Sequence, residues 1–296
     1  DRIESRGLGD VYKRQETAEL TQIYFDGCFS EVIIQCQKPG DAVGRRGAIV
    51  GEIREKTGWI PIVERTPPIF SKTVHDIRGY RSANADERRK LLKDFGLNMH
   101  RPTRPGSSWA RVTALGSYRE VGRACHFVTT NESRIMIDVG VNIASDTDPM
   151  PFFTAPEALP LEKLDAVVLT HSHLDHAGML PVLFKYGYRG PVYCTPPTRD
   201  LMLLLQSDYI KVSGAEGRSP PYDMEDIRTC MKHVVDVDWG ETTDISPDVK
   251  LTFSNAGHIL GSSAVHLHIG EGKHNIVFSG DQKYEKSWLF DAANTR

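Results

Sequence analysis

The sequence predicts an α/β layered domain over residues 109–296, preceded by a small α+β module and a basic helical connector. Three observations predict it. After residue 109, short apolar runs of strand length alternate with longer helical patterns. Before residue 68, two strand-like runs, a glycine loop, a helix and a further strand-like run follow in that order. The 296 residues, 40% hydrophobic and 25% charged, match a folded chain of about two domains and give no support to collagen-like, disordered or coiled-coil readings. No apolar run approaches the ~18 residues of a membrane span, and the opening Asp-Arg-Ile-Glu-Ser-Arg lacks a signal-peptide core, so the expected location is the cytoplasm, with no membrane partner. Five scattered cysteines, Cys28, Cys36, Cys125, Cys194 and Cys230, form no Cys-x-x-Cys pair and are read as reduced thiols.

Residues 1–15 carry no periodicity and are left unassigned. Thr21–Phe25 and Glu31–Gln37 are β-branched or aromatic runs around the turn-prone Asp26-Gly27 and predict a hairpin. After the loop at residues 38–47, Ile49, Val50 and Ile53 lie at helical spacing, and Trp59–Glu64 reads as a strand closed by Pro67-Pro68. Residues 71–111 hold ten Lys and Arg against four Asp and Glu, a local charge of +6 in a chain of net −3. That segment predicts basic helix until Pro102 and Pro105. Strands are then expected at 109–115, 124–130, 134–137, 165–170, 191–194, 250–254, 263–269 and 275–278. Helices are expected at 178–186, 198–212 and 224–232, with Leu201–Leu205 in the core.

The most informative stretch is His171-Ser172-His173-Leu174-Asp175-His176. In an extended loop His171 and His173 point to one side, while Asp175 and His176 open the next helix, so the segment can present ligands to two adjacent metals. Imidazole suits zinc and related transition metals, and carboxylate adds a harder, charge-balancing oxygen. His258, in Gly257-His258-Ile259-Leu260-Gly261-Ser262 between two predicted strands, is the candidate remote ligand. Asp281 follows Ile276-Val277-Phe278-Ser279-Gly280, and Asp138 follows Ile135-Met136-Ile137, each just past an apolar strand. Groups at strand ends converge where the strands share an edge. His266 and His268 share one face of the 263–269 strand and could mimic a metal pair, but the strand's ordinary packing role is the preferred reading. His75, His100, His126, His233 and His274 have no evident partner.

These residues resemble the metallo-β-lactamase superfamily. With Gly116-Ser117-Tyr118-Arg119-Glu120-Val121-Gly122-Arg123 and Gly257–Ser262, the resemblance narrows to the archaeal cleavage and polyadenylation specificity factor ribonucleases of the β-CASP branch and covers residues 16–296. It implies an α+β type II KH-like module at 16–68, the basic connector at 69–108, and at 109–296 an αββα metallo-β-lactamase-type sandwich, incomplete at its C-terminus. It also implies that His171, His173 and His258 hold one zinc, that Asp175 and His176 hold another, and that Asp281 bridges the two. Asp138 stands behind them, fixing the tautomer of a ligand histidine, and is counted with Asp175 in the catalytic machinery. Two zincs acidify water and clamp a phosphodiester, so the implied reaction is RNA cleavage leaving a 5′-phosphate.

One departure matters. The family places a further histidine ligand and a β-CASP histidine downstream of the bridging aspartate, whereas the fifteen residues after Asp281 contain none. The chain is therefore expected to be a fragment lacking the β-CASP insertion, to hold one or two zincs, and to have impaired activity.

Gly44-Arg45-Arg46-Gly47 fits the Gly-x-x-Gly loop of KH domains, which accepts the backbone of single-stranded RNA at a helix N-terminus. Alone the motif says little, but two strands before it and a helix and strand after it match the type II arrangement. The preferred function is thus a zinc-dependent ribonuclease in RNA 3′-end processing or transcription termination, with RNA and the transcription machinery as partners and a homo-oligomer as the full-length form. The alternatives are a non-catalytic RNA-binding subunit with a structural metal site and a small-molecule hydrolase on the same fold.

Overall fold

The computed structural model describes residues 18–103, 106, 108–145 and 147–294. The unassigned residues 1–15, the start of the first module at Glu16, and Pro105 lie outside them. The chain divides into two compact units, 1–90 and 91–296, so the division falls inside the basic segment.

In the first unit β1 (Leu20–Asp26) and β2 (Glu31–Cys36) form the expected antiparallel hairpin, with Phe25 opposite Val32. Asp26 tightens the turn by accepting the Cys28 N–H at 3.0 Å. β3 (Ile60–Arg65) lies parallel to β2, giving the order β1-β2-β3. A parallel neighbour needs a crossover, which α1 (Pro39–Val43), a 3-10 turn (Arg45–Gly47) and α2 (Ala48–Thr57) supply. The small core joins Ala18, Cys36 and Ala42 with Leu20 and Val63.

The basic segment forms two helices, α3 (Lys72–Ala83) and α4 (Ala85–Met99), as expected. Ser71 caps α3 by accepting the Val74 N–H at 3.3 Å. His75 Nδ1 meets Gln22 Nε2 at 3.0 Å and the Tyr24 hydroxyl at 3.1 Å, which holds α3 on β1. Arg88 of α4 is buried and donates to Asp26 Oδ2 at 2.9 Å, so part of the positive charge is spent internally.

The second unit has two sheets. The first has the order β4 (Ala110–Gly116), β5 (Cys125–Thr130), β6 (Arg134–Ile137), β7 (Ala166–Val168), β8 (Val192–Cys194), β9 (Val234–Asp236). β4 to β6 pair antiparallel and β6 to β9 parallel. Every residue of β7 and β8 is buried, as a parallel strand covered on both faces requires. The second sheet, β10 (Thr242–Ser246), β11 (Val249–Asn255), β12 (Ser263–Ile269) and β13 (His274–Phe278), is antiparallel throughout.

Val128, Ile135, Ile137, Val168 and Tyr193 of the first sheet meet Leu251, Phe253, Val265, Leu267 and Ile269 of the second in one core. Strand alternation aims β12 inward at Val265, Leu267 and Ile269, which sends His266 and His268 outward; the strand has the packing role expected of it, through the face opposite those two histidines. The helices are α5 (Leu174–Ala177), α6 (Leu180–Lys185), α7 (Pro196–Ala215) and α8 (Met224–His233). On α7 Met202 is buried as expected, but Leu204 is 49% exposed, because a helix buries a stripe and not five consecutive residues. No helix among the described residues is long and apolar enough to cross a membrane.

Candidate metal centre

β6 and β7 run parallel, so the residues after them emerge at one edge. Asp138 directly follows β6 and His171 comes three residues after β7. The stretch after β13 brings Asp281, and the loop between β11 and β12 brings His258. Ligand atoms of His171, His173, His258 and Asp281 all lie within 4.8 Å of one another. His173 Nδ1 is 3.1 Å from His171 Nε2 and 3.2 Å from His258 Nε2. Donors about 2.0–2.1 Å from one tetrahedral ion stand roughly 3.4 Å apart, so these separations fit a shared zinc-sized cation. Three imidazole nitrogens facing one another have too few protons to pair them all, which is a second reason that the donor set suits a cation.

The two oxygens of Asp281 face different neighbours. Oδ2 is 3.5 Å from His258 Nε2 and 4.0 Å from His171 Nε2, whereas Oδ1 is 3.4 Å from His176 Nε2. His176 Nε2 also lies 3.8 Å from Asp175 Oδ2. A second group of donors, Asp175, His176 and Asp281, thus sits beside the first. The residues that the sequence put forward as ligands lie in these two groups; Asp138 is not among the facing donors but lies one side chain behind.

Asp138 is buried, in the left-handed region at φ 60°, and its oxygens are occupied by the protein. Oδ1 accepts the Thr170 N–H at 2.8 Å, and Oδ2 accepts the Thr170 hydroxyl at 2.8 Å and His176 Nδ1–H at 2.8 Å. With its one proton given to Asp138, Thr170 Oγ1 accepts from His171 Nδ1 at 3.0 Å. One carboxylate therefore orients two imidazoles, one directly and one through a hydroxyl, and turns both Nε2 atoms toward Asp281.

The electrostatics follow from this wiring. Burial, then the neighbouring His176, pushes His171 down to about 3, and burial with His258 beside it lowers His173. Burial opposes charge on His176 as well, but the Asp138 carboxylate outweighs it and lifts His176 to about 10. The hydrogen bond with His176 holds Asp281 at about 2. His171 and His173 are thus held neutral, the form that ligates, against an ionised carboxylate.

Sequence reasoning missed Thr170, Thr195 and Thr198. The last two, at the start of α7, donate to the Gly261 carbonyl at 2.7 and 3.1 Å. Ser262 Oγ accepts the His258 and Ile259 N–H groups at 3.0 and 3.2 Å, and the Ser263 N–H donates to Thr170 O at 2.8 Å. The loop carrying His258 is thereby tied to the residue that orients His171. Adjacency of Thr170 to His171 is the only signal that the sequence offered. Thr170→Val removes one of the two hydrogen bonds to Asp138 Oδ2 and leaves His171 Nδ1 without its acceptor; we expect a stability loss of about 1–3 kcal/mol in denaturant unfolding and metal affinity weakened roughly 10- to 100-fold in competition with a chelator.

In the first unit Gly44-Arg45-Arg46-Gly47 forms the 3-10 turn between α1 and α2. Gly44, Arg46 and Gly47 have φ of 75°, 52° and 76°, a left-handed run in which glycine carries no Cβ penalty. Gly47 is the N-cap of α2 with no side-chain cap; the Ala48 N–H turns back to Arg45 O, and Arg45 and Arg46 are exposed beside this helix start.

Comparisons with known proteins agree with this geometry. The family model described as a metallo-beta-lactamase superfamily domain matches residues 127–295. The chain is 54% identical over 274 residues to the transcription termination factor FttA of Methanosarcina mazei, covering 93% of this chain and 43% of that protein. It is 48% identical over 283 residues to the factor of the same name from Methanothermobacter thermautotrophicus, covering 95% and 44%. A third FttA, from Lokiarchaeum, is 44% identical over 279 residues, covering 94% and 44%. The chain spans less than half the length of these relatives.

Proposed function

Because the chain belongs to the metallo-β-lactamase superfamily, we propose that it carries the metal centre of a zinc-dependent ribonuclease acting in RNA 3′-end formation or transcription termination. The observation that carries this reading is the divided aim of Asp281, with one oxygen toward the three-histidine group and the other toward His176. His171, His173 and His258 would hold one zinc, Asp175 and His176 a second, and Asp281 both; one or two would bind to this chain. When bound, zinc supplies positive charge to a phosphodiester and acidifies water. The chain's own part is orientation. Asp138 Oδ2 holds His176 Nδ1–H and Thr170 Oγ1 holds His171 Nδ1–H, so both Nε2 atoms stay directed at the centre; His176, lifted to about 10, also carries a proton on Nε2 facing Asp281, which is given up when a cation binds. Asp175 is the partly exposed carboxylate beside the centre, open to a substrate as Asp138 is not.

RNA as substrate draws support from the first unit and from the name borne by the relatives, which also supports the transcription machinery as partner. In our reading residues 16–68 are a KH-like module. The Gly44–Gly47 turn takes an RNA phosphate on the α2 amides, with Arg45 and Arg46 adding charge. Arg45→Ala with Arg46→Ala is expected to weaken single-stranded RNA binding and to reduce the slope of log K against log salt by roughly 0.7 for each phosphate that is no longer neutralised. Both side chains are exposed, so the melting temperature should not change; fluorescence titration at several salt concentrations, with a thermal melt alongside, checks both points.

The deciding experiment incubates the zinc-loaded chain, and its Asp281→Ala variant, with end-labelled single-stranded RNA, a lactam and a simple ester. Slow RNA cleavage giving 5′-phosphate ends, lost in the variant and with chelator, is the expected result. Hydrolysis of ester or lactam with RNA left intact would overturn the assignment. RNA binding with zinc bound but no cleavage, in this chain and in a full-length relative, would leave the non-catalytic reading.

A further inference from the structure

The outward pair on β12 forms a second constellation, separate from the centre just described. His266 and His268 are two residues apart on one face of the strand, their ring centroids 3.9 Å apart and their planes inclined by 36°. Both imidazoles converge on a single atom of the neighbouring strand. His266 Nε2 is 3.2 Å and His268 Nδ1 3.0 Å from Oδ1 of Asn275, which sits opposite His268 in the register. The orientation of the Asn275 amide is set independently, because its Nδ2 donates to Gly272 O at 3.1 Å. The oxygen, not the amine, therefore faces the histidines. On the other side Thr252 Oγ1 stands 3.1 Å from His268 Nε2, which holds that ring against rotation.

We infer that His266, His268 and Asn275 form a second, surface binding site for a divalent transition-metal ion of the zinc class. Two imidazole nitrogens 3.2 and 3.0 Å from one amide oxygen are a three-donor set on one face of a rigid sheet, at separations that donors around one small cation have. Antiparallel pairing of β11, β12 and β13 fixes all three positions before any ion arrives. Imidazole selects late first-row metals over calcium or magnesium, and the half-exposed position leaves room for water to complete the coordination. Burial, with His268 beside it, lowers the His266 pKa, so neutral pH presents an unprotonated donor. In the absence of an ion the same geometry is satisfied by two N–H groups donating to one oxygen, so the site is preformed and carries no unpaired buried group. Because no carboxylate takes part, binding is weaker than at the Asp281 centre.

The site does not depend on the proposed nuclease function, and its test keeps the two apart. The Asp281 centre is first disabled by His258→Ala with Asp281→Ala, and the purified chain is dialysed to equilibrium against micromolar Zn²⁺ and analysed for metal. About one equivalent should remain. His268→Gln added to that background keeps a side-chain donor for Asn275 but cannot complete the chelate, and should lower zinc retention at least tenfold with an unchanged circular dichroism melt. His266→Ala should do the same. Equal zinc retention with and without the β12 histidines, or none in the parent background, would overturn the site.

Discussion

Asp281→Ala is expected to strip zinc from both halves of the centre, leaving well under half of the metal that the unaltered chain retains after purification without chelator. The reason lies in the two oxygens, which reach different donor groups 3.4 and 3.5 Å away. An ordinary ligand serves one ion, so His258→Ala should weaken only the three-histidine side. Loss of Asp281 also removes the carboxylate that approaches the imidazoles of His171 and His258, and with it charge balance for a divalent ion. Elemental analysis of the three proteins in parallel separates the cases. Equal losses in the two variants would mean that Asp281 does not bridge, and unchanged metal in both would remove this centre from consideration.

Gly140→Ala should be the most damaging substitution of a single methyl group in the second unit. A Cβ at that position would lie 1.6 Å from the Asp175 carbonyl oxygen and 2.8 Å from the Ala124 nitrogen, both backbone atoms. No rotamer change relieves such a collision, so α5 must lift away from residues 138–141, taking Asp175 and His176 with it. A cost on the order of 4 kcal/mol or more is expected, in the range reserved for disrupted cores and trapped backbone. The control is Gly214→Ala within α7, where nothing lies within 4 Å of the added carbon. That change should be neutral or stabilise by about 0.5–1 kcal/mol, because alanine loses less entropy in a helix. Denaturant unfolding of the two variants measures the contrast, and a Gly140→Ala protein as stable as the parent would refute the close-approach argument.

The candidate ligands were legible in the sequence because four of them crowd into six residues and the others follow short apolar strands, a local pattern with direct chemical meaning. Their supports were not. Thr198 lies 63 residues from the Gly261 carbonyl that it holds, and Thr195 lies 66 residues from it, so nothing in either neighbourhood advertises the contact. Gly140 looks like any turn glycine until the path of α5 is known. The short strands β9 and β10 escaped because three to five residues carry too little periodicity to stand out. For the β12 histidines the period of two was read correctly as one face, but which face met the core depends on register with β11 and β13. The basic helices were visible as helices, whereas the burial of Arg88 against Asp26 was hidden by their overall charge.

The short helix α5 has a further consequence. Its carbonyls at Leu174, Asp175 and His176 accept N–H groups from Val141, Ala124 and Val139 at 2.8, 2.8 and 2.6 Å, so the segment bearing two candidate ligands is bonded to the backbone just beside β5 and β6 of the first sheet. Amide protons of Val141, Ala124 and Val139 should exchange with solvent only through the large openings that release core strands, not through loop fluctuation. A metal held by Asp175 and His176 would then leave on the same slow clock. Its residence time would be governed by the cooperative opening of the sheet rather than by the lability of individual coordinate bonds.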